Sequence, residues 1–389
     1  MNTSKEKNFI PGGTSTFSKR KSSLFGSYNG PGFFIKAKGS RIVADNGKEY
    51  VDFGMALGSS ILGYSPEPIT KAVKKILKQG WISTLPSHLE QDLAERVCSI
   101  IQSIDMVRFF KTGAEALLAG VRCARVYTGR ESVLTCGYHG WLDWTRSDKG
   151  VPRCIKELRK EFKFNDIDSF KTAFNESKDI PAAVVLEPVI REKPKPEFIE
   201  FIENTCKKHG VVFILDEIKT GIRLGIEGAQ KRYNINPDMT VLGKAVAGGF
   251  PLSILGGKRD LMEAIEKTWV SSTFAGEALS LGASLALIDF CIKENVPQRI
   301  EELGKLFFAG IKDIEKISKD FFKVYGIPQM NGICAPDDYE AMLISKLSDK
   351  GFILKMGGYN FVSYAHTEKE INDCIECVIE AAKEICKGK

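Results

Sequence analysis

Apolar residues in the middle of the chain come in short, nearly unbroken runs, each followed by a turn and then by an amphipathic stretch. Such runs predict strands that are covered on both faces, and the amphipathic stretches predict helices. The strand-like runs are 106–110, 132–136, 182–187 and 211–215. The repetition of strand, turn and helix predicts an α/β fold, whose large domain has a mostly parallel sheet flanked by helices.

The two ends of the chain lack this alternation. Strand-like segments flank a turn at 38–40, and helical spacing dominates from residue 283 onward. We expect both ends to build a smaller α+β domain. The predicted divisions are an N-terminal arm with part of the small domain (1–48), a large domain (49–288) and a C-terminal small domain (289–389).

Composition narrows the functional classes. The chain has 389 residues, of which 43% are hydrophobic, and this is enough for a large core in two packed units. The formal net charge of +6 is small for this length and the basic residues are scattered, so no nucleic-acid partner is expected. The densest basic cluster, Lys19 to Lys21, is expected to be solvated or to face a substrate.

The N-terminus, the hydropathy and the cysteines indicate the cellular compartment of the protein. The polar first residues lack the apolar core of a signal peptide, and no apolar run approaches the ~20 residues that a bilayer crossing needs. The ten cysteines show no disulfide-framework spacing, and the CxxC motif of Cys374 and Cys377 has no second pair. We expect a cytoplasmic protein with free thiols, no bound metal and no membrane partner.

Two strand-like runs end in groups of opposite charge. Asp216 closes the run 211–215, and Lys244 follows the next apolar run, 28 positions later (244 − 216 = 28). This spacing fits one crossover helix and one strand, which places the two side chains at neighbouring strand ends. A lysine there can form an imine with pyridoxal 5′-phosphate (PLP), while a carboxylate keeps the ring nitrogen of that cofactor protonated. Either residue alone is ordinarily structural.

Two further motifs suit the same cofactor. Gly113 and Ala114 join a strand to a helix, and the positive end of a helix receives a phosphate well. Tyr138 follows the next strand, where its ring can stack on a flat heteroaromatic group. A structural alternative remains open for each of these residues. Gly113 can be a glycine needed only for steric reasons, Tyr138 an ordinary half-buried tyrosine, and the adjacent His139 a structural histidine. The absence of a GxxxxGK[ST] motif argues against a nucleotide hydrolase.

These residues lie in longer stretches that resemble class III (fold type I) PLP-dependent aminotransferases, nearest to the glutamate-1-semialdehyde 2,1-aminomutase branch. The resemblance covers essentially the whole chain and is most specific from Asp216 to Pro251. The stretches that carry it are IPGG (10–13), AKGSRIVADNGKEYVDF (37–53), DMVRFF (105–110), ARVYTGR (124–130), GYHG (137–140), LEPV (186–189), LDEIKTGIRL (215–224), EGAQKRYNINPDMTVLGKAVAGGFP (227–251) and SYAHTEKEI (363–371).

The resemblance implies a role for each motif. Lys244 becomes the Schiff-base lysine, Asp216 the partner of the pyridine nitrogen and Tyr138 the stacking ring. Gly113 and Ala114 become the phosphate-binding residues.

Two other positions follow by alignment. Thr273 matches a threonine that reaches the phosphate from the other subunit, which implies a homodimer with shared active sites. Glu192 stands where the aminomutase branch has an asparagine after the EPV motif, and we count it with the cofactor-binding positions.

Departures from the family pattern concern the substrate. Lys19, with Arg20 beside it, stands where the aminomutase has a carboxylate-binding arginine, and Leu57 replaces a pocket tryptophan. Lysine lacks the planar fork that grips a carboxylate with two hydrogen bonds. The TGNP motif of the family reads AGEA at 275–278, and the C-terminal segment at 357–360 is shorter. These changes argue against the aminomutase reaction.

The function predicted from the sequence is therefore transamination. A small-molecule amino donor, expected to be glutamate, passes its amino group to a carbonyl acceptor, for which we suggest a keto-sugar of surface-glycan synthesis. The alternatives are the glutamate-1-semialdehyde 2,1-aminomutase and a non-catalytic binding protein with the same fold.

Overall fold

The computed structural model describes residues 9–336 and 338–388. The polar start of the chain, on which the expectation of no signal peptide rests, lies outside these residues except at Phe9. The chain folds into two compact units. The first comprises residues up to Leu57, Leu62–Ser65 and residues from Glu301 onward, and the second comprises Gly58–Ile61 and Pro66–Ile300.

The strands follow the chain in short segments. In order they are β1 (Phe34–Lys38), β2 (Arg41–Ala44), β3 (Glu49–Asp52), β4 (Met106–Phe110), β5 (Val133–Cys136), β6 (Arg159–Glu161), β7 (Ala183–Leu186), β8 (Val212–Glu217), β9 (Met239–Leu242), β10 (Ser253–Gly257), β11 (Lys323–Ile327), β12 (Met330–Cys334), β13 (Phe352–Ile353) and β14 (Asn360–Phe361).

The helices range from single turns to 22 residues. In order they are α1 (Lys21–Phe25), α2 (Met55–Gly58), α3 (Glu67–Leu77), α4 (His88–Ile100), α5 (Gly113–Thr128), α6 (Arg153–Lys156), α7 (Ile167–Asn175), α8 (Pro196–His209), α9 (Gly228–Tyr233), α10 (Arg259–Glu263), α11 (Ala278–Lys293), α12 (Val296–Ile317), α13 (Tyr339–Asp349) and α14 (Glu368–Lys387).

The second unit is built on a seven-stranded sheet with the order β4-β10-β9-β8-β7-β5-β6. All neighbours from β9 to β6 are parallel, and β10 alone runs antiparallel to β4 and β9. The prediction of a mostly parallel sheet is confirmed. The sequence analysis missed β10, because the segment SILGG carries two glycines after a glycine-rich stretch and so has the pattern of a loop.

Both faces of this sheet are covered by helices. Successive residues of β8 point to opposite sides, so that Ile214 packs in the cluster that holds α5, and Phe213 packs in the cluster that holds α7 and α8. A strand buried on both faces must be apolar throughout. This requirement makes the two charged residues at the end of β8 exceptional.

The first unit contains a four-stranded sheet, β1-β2-β3-β13, and a three-stranded sheet, β11-β12-β14. Its core lies under α12, α13 and α14, where the rings of Phe53 and Phe307 stack with centroids 4.6 Å apart. This α+β composition agrees in kind with the predicted small domain; the predicted domain boundaries stay a prediction. None of the helices in the described ranges is both long and apolar enough to cross a bilayer.

We predict that Phe307→Ala lowers the free energy of unfolding by about 3–5 kcal/mol, because it removes a fully buried ring and leaves a cavity. The matched control is Leu306→Ala, one residue away on the same helix, because Leu306 is 37% exposed. This variant should change the free energy of unfolding by less than about 1 kcal/mol. Denaturant titration followed by circular dichroism measures both variants, and equal losses would contradict the assigned core.

Candidate active site

Parallel pairing of β8 with β9 brings the two charged residues of the predicted site to one edge of the sheet. In the register of these strands Asp216 lies opposite Val241, and Lys244 follows three residues later. Lys244 opens a 3-10 turn, Lys244–Ala247, with a φ of 46°, a value that side-chain-bearing residues rarely adopt. Strained backbone of this kind is common where a side chain must be aimed at a ligand.

Lys244 lies in a setting that weakens its hold on a proton. Burial lowers the pKa of its ammonium group, and the positive charge of Lys219 lowers it further, while Asp216 acts in the opposite direction. A deprotonated lysine is nucleophilic and a protonated one is not. The amine is therefore suited to react with an aldehyde.

Asp216 is only 2% exposed, although it carries a carboxylate. Its Oδ2 lies 2.7 Å from Nδ1 of His139, and its Oδ1 accepts a hydrogen bond from the backbone N–H of Ile218 at 3.1 Å. His139 is equally buried, and among the described residues its Nε2 has no hydrogen-bond partner. The histidine therefore orients the carboxylate, a role that the sequence analysis could describe only as structural.

Glu217, the next residue, faces away from this chemistry. Its carboxylate is fully buried and accepts hydrogen bonds from Thr220 Oγ1 and from the backbone N–H groups of Ala229 and Gln230 at the start of α9. Burial raises the pKa of this carboxyl group, although the three hydrogen bonds lower it. Glu217 thus anchors the crossover helix between β8 and β9.

A cavity of about 260 Å³ lies beside Lys244. Gly113 and Ala114 form part of its wall, at the N-terminus of the 16-residue α5, where Thr112 caps the helix through a capping box with Glu115. A Cβ added at Gly113 would lie 2.3 Å from Ile218 Cδ1. Tyr138, which also lines this cavity, is 60% exposed.

The cavity has the features that PLP requires. The positive end of α5 suits a phosphate, and the ring of Tyr138 offers a stacking surface. Asp216 is not among the residues that line the cavity, but its partner His139 is, and a buried carboxylate suits a protonated ring nitrogen. The amine of Lys244 opens into the same space. The residues present therefore fit the cofactor.

Thr273 lies elsewhere, in a groove of about 760 Å³. Large apolar side chains in and beside this groove are exposed: Trp81, Leu85, Trp269 and Phe274. Glu277, on the groove wall, pairs with Lys111 of the cofactor cavity at 2.9 Å. Thr273 is thus not among the residues that line the cofactor cavity of its own chain.

The remaining predicted positions are dispersed. Glu192 is exposed, forms an isolated β-bridge with Ile190 and does not line the cavity. Lys19 ends a 3-10 turn of the first unit, where the guanidinium of Arg20 lies 4.9 Å from the centre of the Phe17 ring. Leu57 has a φ of 60° in the left-handed turn α2.

Sequence reasoning missed two charged residues of the site. Glu187, at the end of β7, lines the cavity and is paired with Lys219. Glu187 closes an apolar run just as Asp216 does, and this shared position was the available signal. Lys219 had no such signal, because only the folded chain brings it to Glu187.

A lysine and a buried carboxylate at neighbouring strand ends of a doubly covered, mostly parallel sheet are the arrangement that a PLP-dependent transferase needs. The family model for class-III aminotransferases matches residues 26–381, and the chain belongs to this family. The predictions of a PLP cofactor, of an enzyme and of small-molecule amino donors and acceptors are confirmed.

Relatives over nearly the full length carry out different reactions. The glutamate-1-semialdehyde 2,1-aminomutase of Methanosarcina acetivorans is 31% identical over 97% of this chain and 96% of its own length. The 3-aminobutyryl-CoA aminotransferase of Cloacimonas acidaminovorans is 29% identical over 98% of this chain and 95% of its own length.

Solved structures share the fold. The FumI protein of Sphingopyxis sp. MTA144, with PLP, has a TM-score of 0.91 at 24% identity, covering 97% of this chain and 94% of its own. An omega-transaminase from Sphaerobacter thermophilus has a TM-score of 0.88 at 22% identity, covering 98% of this chain and 95% of its own.

We predict that His139→Ala lowers the free energy of unfolding by about 1–3 kcal/mol, because it leaves the buried Asp216 carboxylate without its side-chain partner. It should also weaken PLP binding. Thermal unfolding and PLP titration measure the two effects, with His88→Ala as the control, since the His88 side chain is 82% exposed. A variant that matches the parent in both measurements would contradict this role.

Proposed function

We propose that Lys244 is the cofactor-binding lysine of a transaminase, and that Asp216 is the partner of the cofactor's ring nitrogen. One observation carries the proposal: an amine with a lowered pKa and a carboxylate oriented by His139 lie at adjacent strand ends, and the amine lines the same cavity as the N-terminus of α5. Gly113, Ala114 and Tyr138 complete the cofactor site. The exposed Glu192 carries no part of this proposal, and the alignment alone suggests it.

Bound PLP supplies an electron sink for the amino acid's α-carbon. The chain's own groups do the rest. With the cofactor bound, the Lys244 amine would take up the proton that leaves the α-carbon and deliver it to the cofactor's aldehyde carbon, and Asp216 would hold positive charge at the ring nitrogen. His139 prevents the carboxylate from turning away, and the dry walls of the sheet edge strengthen each of these charge interactions.

We also propose a homodimer in which Thr273 serves the partner's phosphate site. The exposed apolar side chains around the groove support this idea, because a cluster of large exposed apolar groups is typical of an interface. The ion pair between Lys111 and Glu277 ties the groove to the phosphate end of the cofactor cavity. A cytoplasmic location stays a prediction.

For the substrates we propose glutamate as donor and a keto-sugar as acceptor. The lysine at position 19 and the leucine at 57 support an acceptor without the small dicarboxylate skeleton of the aminomutase substrate. The second candidate is the aminomutase reaction itself, favoured by relatives of that name at 31% identity. Membership in the class-III aminotransferases disfavours a non-catalytic role.

Half-reactions separate these candidates. We expect glutamate, added to PLP-loaded protein, to convert the bound cofactor to its amine form, seen as loss of visible absorbance, and a nucleotide-linked keto-sugar to restore it. Lys244→Ala should lower the rate by about 10²- to 10⁴-fold. Faster turnover of simple keto acids than of any keto-sugar would refute the acceptor. Formation of aminolevulinate from glutamate-1-semialdehyde without a donor would favour the aminomutase.

For the shared site, we expect the protein to sediment as a dimer and Thr273→Ala to weaken PLP binding roughly tenfold or more, the equivalent of one charge-assisted hydrogen bond. Ser271→Ala, two residues away in the same groove, is the matched control. Equilibrium dialysis gives the affinities. A dimeric Thr273→Ala protein with parental affinity would disprove the phosphate contact, and a monomeric parent would disprove the shared site.

A further inference from the structure

A second carboxylate lies next to Asp216 at the edge of the sheet. Leu186 of β7 is opposite Leu215 of β8, so that Glu187 and Asp216 are the next residues of two adjacent strands. Glu187 is 4% exposed and lines the cofactor cavity together with Lys244. Two negative charges so close together in a dry site each need a positive or hydrogen-bonding partner.

Lys219 supplies that partner for Glu187. Its Nζ lies 2.8 Å from one carboxylate oxygen and 3.0 Å from the other, and both side chains are largely buried. Lys219 follows Asp216 by three residues, where the chain turns back at Gly221 through a bond to the Glu217 carbonyl. The pair therefore joins the ends of β7 and β8.

The backbone is shaped to hold Glu187 in this position. Gly137, which precedes Tyr138, has a φ of 118°, and a Cβ there would lie 2.7 Å from Oε2 of Glu187. Both the dihedral angle and the contact therefore demand glycine. The carboxylate packs directly against the loop that carries the stacking tyrosine.

Both members of the pair act on Lys244. Burial lowers the pKa of Lys244 most, the charge of Lys219 lowers it further, and the charges of Asp216 and Glu187 raise it. The buried Arg223, which donates to the Gly58 carbonyl at 2.8 Å, also lowers it. The other polar side chains that line the cavity are Ser59, Lys111, Tyr138, His139 and Ser253.

We infer that Glu187 and Lys219 are a positioning pair for Lys244, and that this buried ion pair beside the cofactor cavity sets the pH at which the protein captures its aldehyde cofactor. Glu187 lines the cavity together with Lys244, whereas Lys219, which is paired with Glu187, is not among the lining residues. The inference rests on the proposed role of Lys244.

The rate of PLP capture by cofactor-free protein tests this inference. Capture condenses the uncharged Lys244 amine with the cofactor aldehyde and releases one water, so Lys244 must first give a proton to solvent. The rate of appearance of visible absorbance is measured from about pH 6 to about pH 10, a span below the ordinary lysine pKa and up to it. Borohydride trapping and mass spectrometry verify the labelled residue.

Charge substitutions should move the pH midpoint in opposite directions. Lys219→Met removes a positive charge, so we expect the midpoint to rise by about one pH unit. Glu187→Gln removes a negative charge, so we expect it to fall, and the double variant should lie between the single ones. Lys171→Met, which removes an exposed ion-paired lysine on α7, is the control and should match the parent.

Two conservative variants separate charge from packing. Lys219→Gln keeps a hydrogen-bond donor without the charge, so its pH midpoint should rise as that of Lys219→Met does. Lys219→Arg keeps the charge, so its pH midpoint should stay near that of the parent. If Lys219→Met does not fold, Lys219→Gln carries the test. Unchanged midpoints, or shifts of both single variants in the same direction, would overturn the inference.

The same experiment distinguishes a failure of the proposed function from a failure of the positioning pair. If Lys244→Ala captured PLP at the parental rate, or trapping labelled another residue, the assignment of Lys244 would be wrong. If Lys244 were labelled and only the Lys219 and Glu187 variants kept the parental midpoint, the cofactor site would stand and the positioning pair would not.

Discussion

The candidate site depends on burying opposite charges at the carboxyl edge of a sheet that is otherwise dry. Asp216 and Glu187 lie side by side at the ends of adjacent parallel strands, where burying a polar group without a partner is costly. His139 orients the first, and Lys219 neutralises the second. Lys244 enters the same low-dielectric region from the next strand, so each charge influences its amine strongly.

Backbone geometry supports this arrangement where side chains approach most closely. At Gly137 the left-handed backbone and the contact with Glu187 exclude any side chain, and the chain can then present Tyr138 and His139 in opposite settings, one exposed and one buried. At Lys244 a non-glycine residue adopts a positive φ. Such strain is retained when the surrounding packing leaves no alternative, and here the neighbouring residues of the turn, Ala245 to Ala247, are all buried.

The assignment of the family and the proposal for the substrate rest on different observations. Membership in the class-III aminotransferases follows from a match over residues 26–381, and the roles proposed for binding the cofactor fall on a small set of residues within one unit. Relatives of nearly equal identity are an aminomutase and a coenzyme A-linked aminotransferase. A shared fold and cofactor therefore do not determine the substrate.

The sequence alone determined the fold class, the central strands from β4 to β9 except the short β6, and the placement of Asp216 and Lys244 at neighbouring strand ends, because doubly buried strands are continuous apolar runs and a charge at their end is conspicuous. It also predicted the strand-to-helix turn at Gly113. Only the tertiary structure decided which groups surround those charges. The bonds of His139 to Asp216 and of Lys219 to Glu187 join residues 77 and 32 positions apart, and the separation of Thr273 from its own chain's cavity depends on where the groove lies. Local patterns report which residues are buried, whereas the partner of a buried charge depends on strand order and register, which form only when the sheet does.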